Sequence, residues 1–287
     1  MDALLRSDVN YVPDQEEKEK ELRPVATPSW GVPVDVAVEK VVKEFGETPA
    51  LRGVSMAINS GELVALLGPS GSGKTTLLRI LAGLDTQTGG TLKIEAPGWP
   101  VQNAMVFQES GLFPWMSVET NVGFGLMTRG VPTAEMATRV DAALKLVGLT
   151  KFRRHYPHQL SGGMRQRSAI ARAFVTDPGM LLMDEPLAAL DAQNRVILQA
   201  ELVRIWEQTR KTVIYITHSI EEALLLGDRT VVMTAQPGRI KEIIDVPFPR
   251  PRDLITLSAS PEFGRLKLAI WQVLEDEVMR ARGEEEA

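Results

Sequence analysis

The sequence contains no cysteine. Disulfides, thiolate zinc sites and thiol catalysis are therefore excluded, although compartment is not decided by this, because a cytosolic protein needs no cysteine and a secreted one can do without. Also missing is any apolar run near the roughly 18 residues that cross a bilayer. The longest such runs, residues 63–67 and 223–226, are of a size to be buried in a core. Basic charge is not in excess: 32 Lys and Arg face 37 Asp and Glu, for a net charge of −5. That balance argues against a generally basic nucleic-acid binder. Residues 1–21 are charged and lack the apolar stretch of a secretory leader, so the chain is expected in the cytoplasm, with any membrane role exerted through a partner. No internal repeat is visible.

What remains is a chain of 287 residues with 44% hydrophobic side chains and mean hydropathy −0.05. This suits one main domain with a lobe or tails attached. Residues 1–33 form a charged, Pro-containing extension: residues 14–21 are almost all charged, and Pro24, Pro28 and Pro33 come after them. Such composition predicts loose packing. Order is expected from Val34, where Val34, Val36 and Val38 alternate as in a half-buried strand. Residues 46–49 read as a turn, residues 54–58 as a second strand, and residues 63–67 as a strand buried on both faces. A glycine-rich loop and a helix over 74–82 come next, stopped by Gly83.

From residue 114 to 159 helical patterns dominate, most clearly over 134–147, which suggests a helical lobe inserted into an α/β core. Strand signals return at 180–183, 213–217 and 230–233, with helices near 163–174 and 193–208 between them. Alternating strands and helices imply a parallel sheet whose ligand sits at the carboxyl ends of its strands. Phe263, Leu266, Ile270, Val273, Leu274 and Val278 line one face of a final amphipathic helix.

Between the buried strand and the first helix lie Gly68, Pro69, Ser70, Gly71, Ser72, Gly73, Lys74 and Thr75, which fit the phosphate-loop pattern G-x-x-x-x-G-K-[ST]. The glycines let backbone N–H groups curl inward, and the helix N-terminus adds its positive dipole end. Lys74 should reach the β- and γ-phosphates, the Thr75 hydroxyl should ligate Mg²⁺, and Thr76 should touch the α-phosphate. The motif implies a nucleoside triphosphate and leaves open what use is made of it. The apolar strand 180–183 then ends in Asp184 and Glu185. Most Asp-Glu pairs lie on solvated loops; one placed after four apolar residues in the same sheet belongs beside the metal. Asp184 is expected to hold Mg²⁺ through water, and Glu185 to polarise the attacking water as general base.

Leu160, Ser161, Gly162, Gly163, Met164, Arg165, Gln166 and Arg167 resemble the LSGGQ-type signature of the ATP-binding-cassette (ABC) ATPases, with Met164 where glutamine is most common. Ser161 can also cap a helix there, making a second anion-binding helix terminus. The resemblance covers roughly residues 34–250. It implies an α/β fold: a P-loop NTPase (RecA-like) core with an antiparallel β subdomain and an α-helical subdomain at about 111–162, ending in a helical tail over 251–287. It further implies ATP and Mg²⁺ as ligands and a head-to-tail pair of identical chains. In that pair Ser161, Gly162 and Gly163 of one copy close over the γ-phosphate held by the other.

Further matches extend the resemblance. Gln108 resembles the Q-loop glutamine near Mg²⁺ and the attacking water. Ala189, Leu190 and Asp191 resemble the D-loop that communicates across the dimer, and His218 resembles the switch histidine at the γ-phosphate. Phe45 resembles the aromatic that stacks on adenine; a core aromatic at a strand end is the other reading.

A single cassette with a helical lobe looks like the separate ATPase of a bacterial importer, working with a transmembrane permease and, indirectly, a substrate-binding protein. The place implied is the cytoplasmic face of the cell membrane. Phe113, Pro114 and Trp115 after Gln108, together with residues 237–240 and 246–252, resemble the nitrate/sulfonate/taurine group. The aromatic cluster could receive a permease helix or simply pack the lobe. The later Pro-rich stretch could equally be a stiff linker. No nucleic acid is expected as partner. The alternatives are a soluble ABC-type ATPase acting on nucleic acid or ribosomes, and an importer ATPase for an unrelated solute.

Overall fold

The computed structural model describes residues 31–96, 102–188 and 190–285. Residues 1–30 of the extension expected over 1–33, and Ala189, lie outside the described residues.

Two sheets organise the described residues. Strands β1 (Asp35–Phe45) and β2 (Thr48–Ile58) form an antiparallel hairpin, and β4 (Gly89–Glu95) adds to the free edge of β1. Val36, Val38 and Val41 on β1 and Val54, Met56 and Ile58 on β2 turn one face of this sheet into the core. The other sheet has the order β5 (Asn103–Val106), β6 (Met180–Asp184), β7 (Thr212–Ile216), β3 (Leu63–Leu67), β8 (Arg229–Met233) and β9 (Ile240–Asp245). All of its pairings are parallel except β8 with β9. Every residue of β3, β6 and β7 is buried, as expected of parallel strands covered on both faces. Each of the three leucines of β3 contributes about 1.5–3 kcal/mol by leaving water.

Helix α1 (Lys74–Leu81) comes directly after β3 and packs Leu77, Leu78, Ile80 and Leu81 into the core shared with β1 and β2. Helices α2 (Val118–Thr128), α3 (Thr133–Leu146) and α4 (Gly162–Phe174) share a second core built on Val122, Leu126, Val140, Leu144 and Ile170. Helix α5 (Ala192–Thr209) leads to β7, and α6 (Ile220–Leu226) joins β7 to β8. The tail folds as α7 (Leu254–Ser258) and α8 (Pro261–Glu285). Phe263, Ile270 and Leu274 of α8 pack with Ala65 and Leu67 of β3, so the tail covers the central strand.

The Pro-rich segment before the tail is bonded along its length. The buried Arg252 guanidinium donates to the carbonyls of Leu224, Leu225, Gly227 and Phe248, closing the C-terminus of α6. Arg250 donates to Asp228 and the Leu226 carbonyl while lying 4.1 Å from the Trp206 ring centroid. A cation at a helix C-terminus also meets the negative end of the dipole.

Candidate active site

The sheet order decides the site. Strands β5, β6, β7 and β3 are consecutive neighbours and all parallel, so their carboxyl ends emerge side by side. Asp184 and Leu66 both register with Ile216, one on each side. The residues just beyond these ends are Gln108, Glu185, His218 and the loop opening at Gly68. A ligand in an open α/β sheet sits at such a carboxyl-terminal edge.

A cleft of about 370 Å³ lies there, lined by Ser70 to Thr76 together with Gln108, Glu185, His218, Ala50 and Gln236. Gly73 has φ +80°, and a Cβ on it would stand 2.6 Å from Leu51 Cδ2 and 2.8 Å from the Ala50 carbonyl oxygen, so only glycine fits. The Lys74 ammonium is buried and donates to the carbonyls of Gly68 (2.9 Å) and Pro69 (2.7 Å) and to Ser72 Oγ (3.1 Å). Burial lowers its pKa to about 8, against the opposing pull of Glu185 and Asp184. A cation so poorly hydrated gains strongly from an anionic partner.

The two carboxylates have different settings. Asp184 is buried and accepts from the Thr75 hydroxyl at 3.2 Å. Burial pushes its carboxyl above the usual range, against the Thr75 bond. Glu185 sits at φ +47°, a conformation rare outside glycine, and its N–H donates to the Ile216 carbonyl at 3.1 Å. Its Oε1 lies 2.5 Å from His218 Nε2, and its Oε2 accepts from Gln108 Nε2 at 3.5 Å. The backbone on either side of His218 is held firmly in turn. Buried Glu222 accepts from Thr217 Oγ1 (2.7 Å) and the Tyr215 hydroxyl (3.1 Å), and Ser219 caps α6 through the Glu222 N–H.

A magnesium ion fits this donor set. Thr75 Oγ1 and Asp184 Oδ1 already meet, both oxygen donors suit a hard cation, and a divalent charge would relieve the raised Asp184 carboxyl. Among the described residues no cluster of three or more His, Cys, Asp or Glu could hold a metal unaided.

The other expected site residues lie elsewhere. Gly68 and Pro69 border a second cleft behind the phosphate loop, with His218 and helix α8. Phe45 ends β1 half exposed, with the Lys43 ammonium 4.7 Å from its ring centroid, and does not line the 370 Å³ cleft. Ser161 caps α4 by accepting from the Met164 N–H at 3.3 Å, worth about 1 kcal/mol to the helix. Gly163 packs so closely on Leu190 that a Cβ would lie 2.7 Å from Leu190 Cδ2. Asp191 caps α5 through the Asn194 N–H at 3.0 Å, and its bonds to Asn194 hold its carboxyl below the usual range. Neither Ser161, Gly162, Gly163 nor Asp191 lines this chain's own cleft.

Two lining residues, Ala50 and Gln236, carry no motif. Gln236 comes just after β8, the neighbour of β3, so its place past a carboxyl strand end was the available signal.

The sequence profile described as ABC transporter matches residues 51–188. An uncharacterized ABC transporter ATP-binding protein of Methanocaldococcus jannaschii is 46% identical over 255 residues, covering 86% of this chain and 94% of the relative. The chain belongs to the ABC transporter ATP-binding proteins. A taurine import ATP-binding protein of Roseobacter denitrificans is 45% identical over 240 residues, covering 80% of this chain and 89% of that one. Among solved structures, the ATP-binding cassette MJ0796 in a dimeric post-hydrolysis state bound to ADP and Pi superposes with TM-score 0.67 at 32% identity. It covers 75% of this chain and all of that one. The fold is that of an ABC cassette, and this ABC protein is an ATPase. Among its described residues no helix is long and apolar enough to cross a membrane.

Proposed function

We propose that this chain is the ATP-hydrolysing subunit of an importer, working as a head-to-tail pair beneath a separate permease. The observation that carries the reading is the meeting of Gln108, Glu185 and His218 at the mouth of the phosphate-loop cleft. The N–H groups of residues 71–76 and the Lys74 ammonium hold the phosphates of ATP. Thr75 and Asp184, with Gln108 near, would hold Mg²⁺, which when bound would supply positive charge to the phosphate oxygens. Glu185 accepts a proton from the attacking water, and His218 fixes the Glu185 carboxylate through Nε2. Gln108 lies on the other carboxylate oxygen and orients the water. Ser161, Gly162 and Gly163 belong to the site of the second copy, which fits their not lining their own cleft, and Asp191 belongs to the contact between copies.

The exposed Trp115 ring, 5.6 Å from that of Phe113, offers the permease an aromatic surface one loop from Gln108. Buried Asn121 shapes that loop, donating to the carbonyls of Phe113, Met116 and Ser117 and accepting from the Phe113 N–H. Attachment to a permease puts the chain on the cytoplasmic face of the membrane, with a substrate-binding protein outside. The taurine importer relatives favour a small sulfonate or similar anion as the solute. Adding MgATP to Glu185→Gln should give a stable dimer on size-exclusion chromatography with turnover nearly abolished. A variant that stays monomeric and hydrolyses ATP normally would overturn the reading.

A further inference from the structure

Helix α8 carries one acid that is almost completely enclosed. Glu277 is 2% exposed on a helix whose neighbouring Asp276 and Met279 face solvent. Burial pushes its carboxyl up, but Lys241 at 2.9 Å, the Ala235 N–H at 3.0 Å and Arg280 at 3.3 Å pull it below the usual range. The Ala235 bond matters because Ala235 opens the turn between β8 and β9. Thr234 closes that turn on itself, with Oγ1 donating to the carbonyls of Ala235 and Pro237 and accepting from the Arg239 N–H.

The far side of the turn rests on the nucleotide cleft. The Gly238 N–H donates to the Ala50 carbonyl at 2.9 Å, and the Arg52 N–H donates to the Gly238 carbonyl at 2.9 Å. Gly238 lies so close to the phosphate loop that a Cβ would stand 2.1 Å from the Ser72 carbonyl oxygen. Gln236 lines the cleft beside Gly71 and Gly73, its Nε2 donating to the Pro49 carbonyl at 3.4 Å. Residues 234–239 thus form a wall of the site, clamped between the phosphate loop on one side and Glu277 on the other. Trp271, Leu274 and Val278 of α8 also line the cleft of about 310 Å³ behind residues 67–70 and His218, so the helix borders the phosphate loop twice.

We infer that Glu277 is a positioning residue for the nucleotide site: from the C-terminal helix it holds the 234–239 turn so that the Gln236 carboxamide contacts bound ATP. The carboxamide is neutral and offers both donor and acceptor, so it adds a hydrogen bond to the nucleotide without competing with Lys74 for charge. The inference rests on the reading of the 370 Å³ cleft as the ATP site.

The test is a double-variant cycle on the full-length chain, with MgATP affinity read by titration calorimetry and kcat and melting temperature measured alongside. Gln236→Ala should weaken MgATP about fivefold, the worth of one ordinary hydrogen bond. Glu277→Leu should cost the same factor, and the double variant no more than either alone, because both changes remove one contact. Glu277→Gln keeps an acceptor for the Ala235 N–H and should bind within about twofold of wild type. Should Glu277→Leu fail to fold, Glu277→Asp withdraws the carboxylate by one methylene with its charge kept, and should still lose at least about twofold. Wild-type affinity in a folded Glu277→Leu or Glu277→Asp variant, losses that simply multiply, or a Glu277→Gln variant as weak as Glu277→Leu would overturn the inference. If the wild type bound no MgATP, or Lys74→Ala bound as well as the wild type, the ATP-site reading itself would fall.

Discussion

His218 Nε2 lies 2.5 Å from Glu185 Oε1, and Gln108 Nε2 lies 3.5 Å from Glu185 Oε2. Both oxygens of the proposed base are therefore held in place, and each keeps a further lone pair with which to accept a proton from water. His218→Ala should leave MgATP affinity within about threefold and lower kcat by roughly 10²-fold or more, at the lower end of what general-base positioning provides. Phosphate release under single turnover checks this. Normal turnover would mean that the histidine only stores the carboxylate.

Lys74 predicts a particular pH dependence. Its pKa is near 8 in the free protein, lowered first by burial, and an anionic ligand must raise it again. Binding of MgATP should take up a proton near pH 8, visible as calorimetric heats that change with buffer ionisation enthalpy. Affinity should decline as pH rises through about 8, by at most about tenfold per unit. The stability of the free protein responds in the opposite sense. Between about pH 8 and the ordinary lysine value the unfolded chain binds more protons, so raising pH there relieves the cost of burying this ammonium. Lys74→Met should remove both effects.

Arg172 ties α4 to the segment after Gln108, donating to the carbonyls of Gly111 at 2.8 Å and Ser110 at 3.1 Å. Arg172→Ala frees that segment without touching the phosphate loop. The expected result is unchanged MgATP affinity and a kcat lower by about 10-fold, as when a positioned group is left to wander. A loss confined to affinity would sink the idea.

Removing Arg252 leaves the carbonyls at the end of α6 without their buried partner. Charged hydrogen bonds of this kind carry about 1.5–3 kcal/mol, so Arg252→Ala should cost about 2–4 kcal/mol. For a chain of this size that is a melting temperature lower by very roughly 5–15 °C. Arg252→Lys restores the charge without the planar fork and should recover only part of it.

Trp115 is exposed and makes its aromatic contact with Phe113 at the lobe surface. Trp115→Ala should therefore leave the ATPase of the isolated chain unchanged while reducing its co-purification with a permease. Equal capture of the permease would move the docking surface elsewhere.

Much of this was legible in the residues, for physical reasons that differ by element. The strand Leu63–Leu67 is an unbroken apolar run buried throughout, and the helix Lys74–Leu81 lies between a glycine-rich loop and Gly83, so the run and the glycines locate them. Gly89–Glu95, Asn103–Val106 and Ile240–Asp245 leave no such pattern because each lies at a sheet edge with few fully buried positions. An edge strand owes its place to a neighbour's hydrogen bonds, which do not register in local composition. Glu277 is silent for a related reason. The apolar stripe of the last helix is visible at Ile270 and Leu274, whereas a glutamate one turn further on looks like any solvated charge until Ala235 is found above it. The Pro-rich stretch at 246–252 has the composition of a stiff linker, yet the arginines within it cap a helix.

One consequence of the α4 contacts concerns gearing. The helix carries Ser161 at its start, while Gln166 Nε2 donates to the Phe107 carbonyl at 3.2 Å and Arg172 grips residues 110 and 111. Its 13 residues make a rod about 20 Å long, so a tilt of about 10° about one end swings the other by about 3 Å. That swing matches the whole length of a hydrogen bond. In the proposed pair, Ser161 belongs to the partner's nucleotide and Gln108 to the chain's own. A rigid rod joining them would make closure over one nucleotide shift the glutamine at the other, so the two sites would keep time through hardware rather than through any signal passed along the sheet.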